Sequence, residues 1–580
     1  MMRILIVLTV CLCLTSLCVA QGDKTKPAEF ADDSTLDAAK RYVEKSDKYL
    51  HHTKLARGMK GYGLTVMAGV EIVKFDAEIV SVAVSNGPHQ DMILARLRGP
   101  GKEDYLTKTG IIAGMSGSPV YIKDPDDGKM KMIGAVAFGW FAQKEPIAGI
   151  QPITQMIAVS GVLDSKGSKG PVRRKGRRTG TSVGSSAEET KKFIARILSP
   201  DKAEFMKAPA GTPKPKVAGE KKMIPLSTPL TITGSSNRAI DQAEKLLGWR
   251  GLVPRMGGAV SPVDVKLAAR AKLEPGSSFA IPLVTGDQNW SAVGTVTEVI
   301  GKRVLAFGHS FYSEGKVSYP MGPAYIHTVI ANFDSFKMGV GLGVTGTLDR
   351  DEATAVSGLL GKGPATVPIE IKVRFGDIGR SQTFRYNLCK EKYFTPVLAS
   401  ILTSDAVFGW CNPPEQHNTR YKVSADFGKL GVYTASNVSN GDGAFDAVGD
   451  LTRPVHAMAE NPFAQPLFPK SLKAEITILP GDIGLYMERV TVDGTEYKPG
   501  QRVTGKLTFS RFRKKRLTIA WKFDLPKDLP EGSHTIEIGD FYTQLYRMQI
   551  ESPQLYDPKT STELYESVKL IAIPQANVIY

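Results

Sequence analysis

The sequence predicts a mostly β protein: two β-rich units on either side of a basic linker, followed by a C-terminal β-sandwich-like domain. Three observations carry this. Short apolar runs with partial alternation, broken by Gly, Asn and Asp, dominate residues 59–160 and 224–418. Residues 164–222 hold 16 Lys and Arg against 6 Asp and Glu, a net +10, with Gly, Ser, Pro and Thr filling much of the rest. Such a stretch buries too little apolar surface to offset its ordering entropy, so it reads as a linker. Residues 470–550 carry strand-like segments spaced by turn residues (LKAEITIL, YMERVTVDG, RVTGKLTFS, RLTIAWKFDL, SHTIEIGD).

Length and composition fit this organisation. At about 150 residues per domain, 580 residues suggest roughly four domains. Apolar residues make up 42% and charged residues 23%, which excludes a fully disordered chain and a coiled coil. The formal charge of +16 invites a polyanion partner. The linker carries +10 of it, leaving only +6 for the rest. It could serve as an arm for an anionic envelope polymer. Nucleic acid is not favoured, because no aromatic residue for base stacking lies between Lys166 and Lys192.

The elements then follow in order. Residues 1–20 have the parts of a secretory signal peptide: Arg3, an apolar run over 4–19, and small residues before a cut after Ala20. Export to the periplasm or the extracellular space is expected. No later run is long enough to span a membrane, which takes about 20 apolar residues. Residues 21–58 form an N-terminal helical segment, with Ala38, Ala39 and Tyr42 on one face. Residues 59–160 are the first β unit and 161–223 the basic linker, with a short helix near 187–207. Residues 224–418 are the second β unit, with a helix at 238–247 stopped by Gly248 and another at 391–404. Residues 419–469, with the string SNVSNGDGAFDAVGD, read as an irregular connector, and 470–580 as the sandwich-like domain.

Three of the five cysteines fall in the leader; Cys389 and Cys411 remain. An exported compartment allows a bridge between them, and two free buried thiols are the alternative. No Cys/His cluster has metal-ligand spacing, so neither a metal nor another cofactor is expected. His51-His52 by itself is a weak ligand signal.

The most informative string is TGIIAGMSGSPVY over residues 109–121. Ser116 sits in Gly114-Met115-Ser116-Gly117-Ser118-Pro119, between two strand-like segments. Small neighbours let backbone N–H groups turn toward a substrate carbonyl, as an acyl-transfer nucleophile requires. The bland reading is a Gly/Ser turn closing a hairpin. A nucleophilic serine needs a base. His309 follows an apolar strand and Gly308 (VLAFGHSF), a strand exit of the kind where sites collect. The bland reading there is a core or turn histidine.

These strings resemble the SpoIVB-type serine peptidases, the stage-IV sporulation signalling proteases and their wider bacterial relatives. The first half matches through KFDAEIVSV, DMILARL, LTKTGIIAGMSGSPVYI and GKMKMIGAVAFGW…EPIAGIQPITQM. The second matches through VGTVTEVIGKRVLAFGHSF…GKVSYPM…SFKMG…GTLDRDEATAVSGLLG. GMSGSP also parallels the Gly-Asp-Ser-Gly-Gly-Pro turn of trypsin-like proteases, which aligns Ser116 with the nucleophile. The resemblance implies two trypsin-like β-barrel halves with a cleft between them. It further implies Ser116 as nucleophile, His309 as general base, and the Gly114 and Ser116 amides as oxyanion hole. The halves stand in exchanged order, Ser116 preceding His309 by 193 residues; triads are set by geometry, so order does not matter. The family's acid falls on Arg98 in a gapless alignment. Asp104 replaces it with a gap, Asp349 is the other candidate, and Asp91 a further one. The expected function is an exported serine endopeptidase acting on protein or peptide substrates. The alternative is a non-catalytic secreted scaffold that keeps the fold.

Overall fold

The computed structural model describes residues 34–87, 90–99, 104–140, 143–164, 187–199, 224–441, 443–571 and 578–579. The expected leader and most of the basic linker lie outside the described residues; of the linker, helix Ala187–Leu198 is described. The N-terminal helical segment contains helix Ser34–Glu44. The fold is mostly β and holds two closed six-stranded barrels, consistent with trypsin-like halves.

The serine-bearing barrel uses strands Lys60–Val66, Ile72–Gly87, Gln90–Arg98, Pro119–Lys123, Met130–Gly139 and Ile147–Pro152. Numbered along the chain, they run around the barrel in the order one, two, three, six, five, four, and the fourth closes on the first. The histidine-bearing barrel uses Ser278–Gly286, Asn289–Ile300, Arg303–Ala306, Gly315–Ile330, Gly346–Glu352 and Ala355–Leu360. It repeats the same order and closure, every pair antiparallel. Closure removes the free strand edges that would invite mispairing. Alternating inward residues fill each barrel: Phe75, Ala77, Ile79, Ile93, Ala95 and Leu97 in the first, Phe279, Ile281, Val296, Val304 and Leu348 in the second.

The second barrel continues outward from its first strand. Arg380–Cys389, Thr366–Phe375, Ser471–Pro480, His417–Asp426 and Val432–Asn440 follow in that spatial order. Helices Phe394–Phe408 and Gly443–Ala459 cover this extension. The expected helix at 238–247 is present as Asn237–Leu247.

Two expected segments take a different form. Residues 419–469 are no irregular connector but a β-hairpin and then a long helix. Tyr421, Val423, Ala425, Ala447, Leu451, Val455 and Met458 are buried there, which gives the segment its own share of core. Residues 470–580 are not a sandwich of two sheets. Strand Ser471–Pro480 is inserted between Thr366–Phe375 and His417–Asp426, pairing with both. The remainder of that segment is one three-stranded sheet, Tyr486–Val492, Arg502–Arg511 and Lys514–Asp524, and then helices Phe541–Glu551 and Ser561–Ile571. Cys389 and Cys411 are both free, so the considered bridge does not form. No described helix is long and apolar enough to cross a membrane.

The barrels meet along a seam that is part apolar, where Met132, Ala135, Met156 and Ile157 pack with Leu305 and Ala355 and Val66 with Val293 and Ile326, and part polar. Ala113 bridges to Phe336 and Gly69 to Ile326. Helix Ile153–Ser160 rests on the second barrel, where Thr354 Oγ1 donates to Gln155 O and Ser357 Oγ to Ser160 O.

Candidate active site

The GMSGSP motif forms a tight turn between the short helix Tyr105–Thr109 and strand Pro119–Lys123. Gly114 and Gly117 hold φ of +94° and +95°, which side chains other than hydrogen rarely adopt. At Gly117 space forbids a side chain as well: a Cβ would fall 1.9 Å from Thr295 O.

The carbonyl side of this turn is held by the other barrel. Lys337 N–H donates to Ala113 O (3.0 Å), Thr295 Oγ1 to Gly114 O (2.9 Å), Thr295 N–H to Ser116 O (2.8 Å) and Thr297 Oγ1 to Gly117 O (2.8 Å). On the amide side, Ala113, Met115, Gly117 and Ser118 donate to Ser335 O, Ile112 O, Val136 O and Met115 O. The Gly114 and Ser116 amides donate to nothing among the described residues. These are the two N–H groups expected to hold an oxyanion. A buried backbone donor left without an acceptor is costly and rare, and here two of them lie side by side in the turn that carries Ser116.

Ser116 is fully buried, and its Oγ has no hydrogen-bond partner. Ser118 is equally buried and its Oγ equally unpartnered, so burial does not choose between them. The amides do, since Ser118 N–H is already bonded to Met115 O.

His309 follows strand Arg303–Ala306 through a left-handed corner. Phe307 and Gly308 stand at φ +67° and +72°. A non-glycine residue there stores strain that the surroundings must hold. The Phe307 ring is clamped against Gly294 and Phe279, and it stacks on the His309 ring with centroids 5.6 Å apart. Gly308 lies against Ala137 of the serine barrel, where a Cβ would come within 2.9 Å. With the two barrels docked, position 308 has no room for a side chain.

His309 is 2% exposed. Its Nδ1 lies 2.8 Å from Ser310 O. A carbonyl only accepts, so Nδ1 carries the proton and Nε2 keeps a lone pair. Nε2 has no partner. Burial lowers the pKa to about 4, keeping the ring neutral near pH 7. This is the tautomer and charge state a general base needs. Ser116 Oγ and His309 Nε2 share the inter-barrel seam but are not hydrogen-bonded to each other.

None of the candidate acids reaches His309. Asp349 pairs with Arg303 at 2.5 Å. Asp104 accepts from Gly99 N–H and Thr107 Oγ1, which hold its carboxyl below the usual range. Asp91 pairs with His52. The orienting position at Nδ1 is taken by the Ser310 carbonyl instead. The acid that shapes this region is Asp351, which sequence reasoning missed. Fully buried, it accepts from Phe311 N–H and Tyr312 N–H at 2.6 Å each and from Glu314 N–H at 3.4 Å. It thereby fixes the loop that presents Ser310 O to His309. Burial pushes its carboxyl up to about 6 against these bonds.

Lys337 and Thr295 were also missed. Lys337 is wholly buried, with Nζ 2.8 Å from Thr65 Oγ1 and 3.2 Å from Thr295 Oγ1. The apolar-flanked SFKMG string signals a buried strand, but no spacing rule connects it to residue 114.

No family model, no curated protein and no solved structure matches this chain.

Proposed function

We propose that the chain is an exported serine endopeptidase of the SpoIVB type, with its two halves in exchanged order. The observation that carries the reading is the pair of unsatisfied amides at Gly114 and Ser116, in a turn whose other amides are all bonded. His309 supports it as a neutral imidazole with a free Nε2 in the same seam. Ser116 attacks the scissile carbonyl, His309 Nε2 takes its proton, and the two amides hold the oxyanion. The imidazolium that forms is steadied by Ser310 O at Nδ1, in place of the carboxylate of a full triad. Because Ser116 and His309 are sealed from solvent, this is a resting form. Substrate enters after the basic linker is cut, with the barrels still docked. The linker then also offers cations to an anionic envelope polymer.

The same burial, with no carboxylate on His309, favours a second reading: a secreted scaffold that keeps the fold without the chemistry. Peptide-library digestion monitored by mass spectrometry separates the two. The protein is assayed whole and after limited trimming of the linker. The enzyme reading expects cleavages that vanish in both Ser116→Ala and His309→Ala. Cleavage by neither form of the wild type leaves the scaffold reading standing.

A further inference from the structure

We propose that Lys337 is a positioning residue for the oxyanion turn, acting through Thr295 to hold Gly114 and Ser116 with their amides turned outward. This rests on the serine-peptidase reading for its catalytic meaning, though not for its structural content.

Lys337 lies on strand Phe336–Gly341, at the edge of the histidine barrel, and grips the turn three ways. Its main-chain N–H donates to Ala113 O. Its methylene stem covers Gly114, where a Cβ would meet Lys337 Cβ, Cγ and Cδ at 3.2–3.3 Å. Its Nζ donates to Thr295 Oγ1, which donates onward to Gly114 O. Direction is fixed along this chain, because the hydroxyl spends its one proton on the carbonyl and must accept from the amine. Thr65 of the serine barrel takes the second Nζ hydrogen. The clamp therefore starts on one barrel, crosses to the other and returns to the turn.

A merely structural role does not account for an amine here. Among the described residues no carboxylate contacts Lys337, and an isolated ammonium without one is among the most expensive groups to bury. Methionine would fill the same space without that cost. Two hydroxyl acceptors match the two N–H bonds of a neutral amine, whereas an ammonium would leave its third hydrogen unsatisfied. Burial alone lowers this pKa to about 7, which brings the neutral amine within reach near neutral pH. What the amine supplies is a donor that sets the Thr295 hydroxyl toward Gly114 O. In a trans peptide unit each carbonyl opposes the N–H of the next residue, so Lys337 N–H on Ala113 O turns the Gly114 amide outward, and the Thr295 hydroxyl on Gly114 O fixes the Met115 peptide unit that lies between the two free amides. The oxyanion hole is thus assembled only while the barrels are docked.

The test compares wild type with Lys337→Met, Thr295→Val and Thr295→Ser, each linker-trimmed, in two measurements. The first is the second-order rate of labelling by a fluorophosphonate probe, whose phosphoryl oxygen occupies the oxyanion site. Lys337→Met and Thr295→Val are expected to label at least ~10-fold slower, as for loss of an oxyanion contact. Thr295→Ser, which keeps the hydroxyl, stays near the wild-type rate. The double variant is no slower than Lys337→Met alone, because both act on one chain of bonds. The second is amide exchange over residues 112–118, expected to quicken in Lys337→Met and Thr295→Val but not in Thr295→Ser. Wild-type protection of that segment in Lys337→Met overturns the proposal, whether or not any form labels. If Lys337→Met does not fold, Thr295→Val against Thr295→Ser decides alone, and equal protection in the two overturns it. A wild type that never labels, with exchange altered as expected, instead counts against the peptidase reading and leaves the clamp in place.

Discussion

At the residue scale, the chemistry is set by which polar atoms stay unpaired. In the GMSGSP turn most groups are bonded, and the exceptions are the Ser116 and Ser118 hydroxyls and the Gly114 and Ser116 amides. His309 completes the set with Nε2. Its depressed pKa has a kinetic consequence. Imidazolium cannot accept a proton, so the rate of Ser116 acylation follows the neutral fraction. That fraction is nearly complete above pH ~5 when the pKa is about 4, whereas an ordinary histidine near 6.5 would still be mostly protonated there. Labelling by a fluorophosphonate is therefore expected to show its His309 step only at about pH 4, below the steps that Asp351 near 6 and Lys337 near 7 add. A step at pH ~6.5 that survives in both Lys337→Met and Asp351→Asn would show an imidazole that is solvated when it reacts. The serine and histidine were legible in the sequence because each sits in a short string of small residues next to an apolar strand. The unpaired amides were expected from the same glycines. The acid was not legible, and the reason is local. The pairing of Gly346–Glu352 with Ala355–Leu360 shifts register between Leu348 and Arg350. Strict alternation from Leu348 would turn residue 350 inward; the bulge turns Asp351 inward and leaves Asp349 to meet Arg303 at the surface.

At the scale of elements, that bulged strand couples to the His309 corner through the loop it cradles. Asp351 divides its donors between its two oxygens, Phe311 N–H on one, Tyr312 and Glu314 N–H on the other. An asparagine keeps one of those acceptors and replaces the other with a donor. Asp351→Asn is therefore expected to cost about 1–3 kcal/mol in urea unfolding and to slow labelling. Its pH dependence has a definite sign. The folded-state pKa near 6 lies above the ordinary aspartate value of 3.8. Between those values the folded chain holds a proton that the unfolded chain has lost, so the contribution of Asp351 falls as pH rises through the window. The destabilisation by Asp351→Asn is thus larger at pH 4 than at pH 7, and a constant difference would contradict the assignment. Other elements show where patterning succeeds. Helix Asn237–Leu247 was expected at 238–247 with Gly248 as its stop, and the structure adds Ser236 as its N-cap. The hairpin His417–Asn440 was not. Val432–Asn440 ends in the polar string SNVSN, whose half-buried Ser439 and Asn440 bond Asp446 and Asp482, so this end of the strand reads as loop.

At the scale of the molecule, the mostly β class was legible, since strand-length apolar runs dominate both halves. Two closed barrels with one strand order agree with the halves that the resemblance implied. The domain boundary near 470 was misplaced because the Ser471–Pro480 strand lies between partners about 100 and 50 residues upstream, and a linear reading has no access to such pairing. The barrels give the two chemical groups separate origins and a common seam. One supplies the turn with Ser116, the other supplies His309 and the bonds that hold the turn's carbonyls. The central claim is that this seam makes Ser116 nucleophilic. Mapping a fluorophosphonate adduct by peptide mass spectrometry on the linker-trimmed protein tests it most directly. The predicted result is a single adduct on Ser116, retained in Ser118→Ala and lost in His309→Ala. An adduct on Ser118, or an adduct on Ser116 that survives His309→Ala at the wild-type rate, would contradict it.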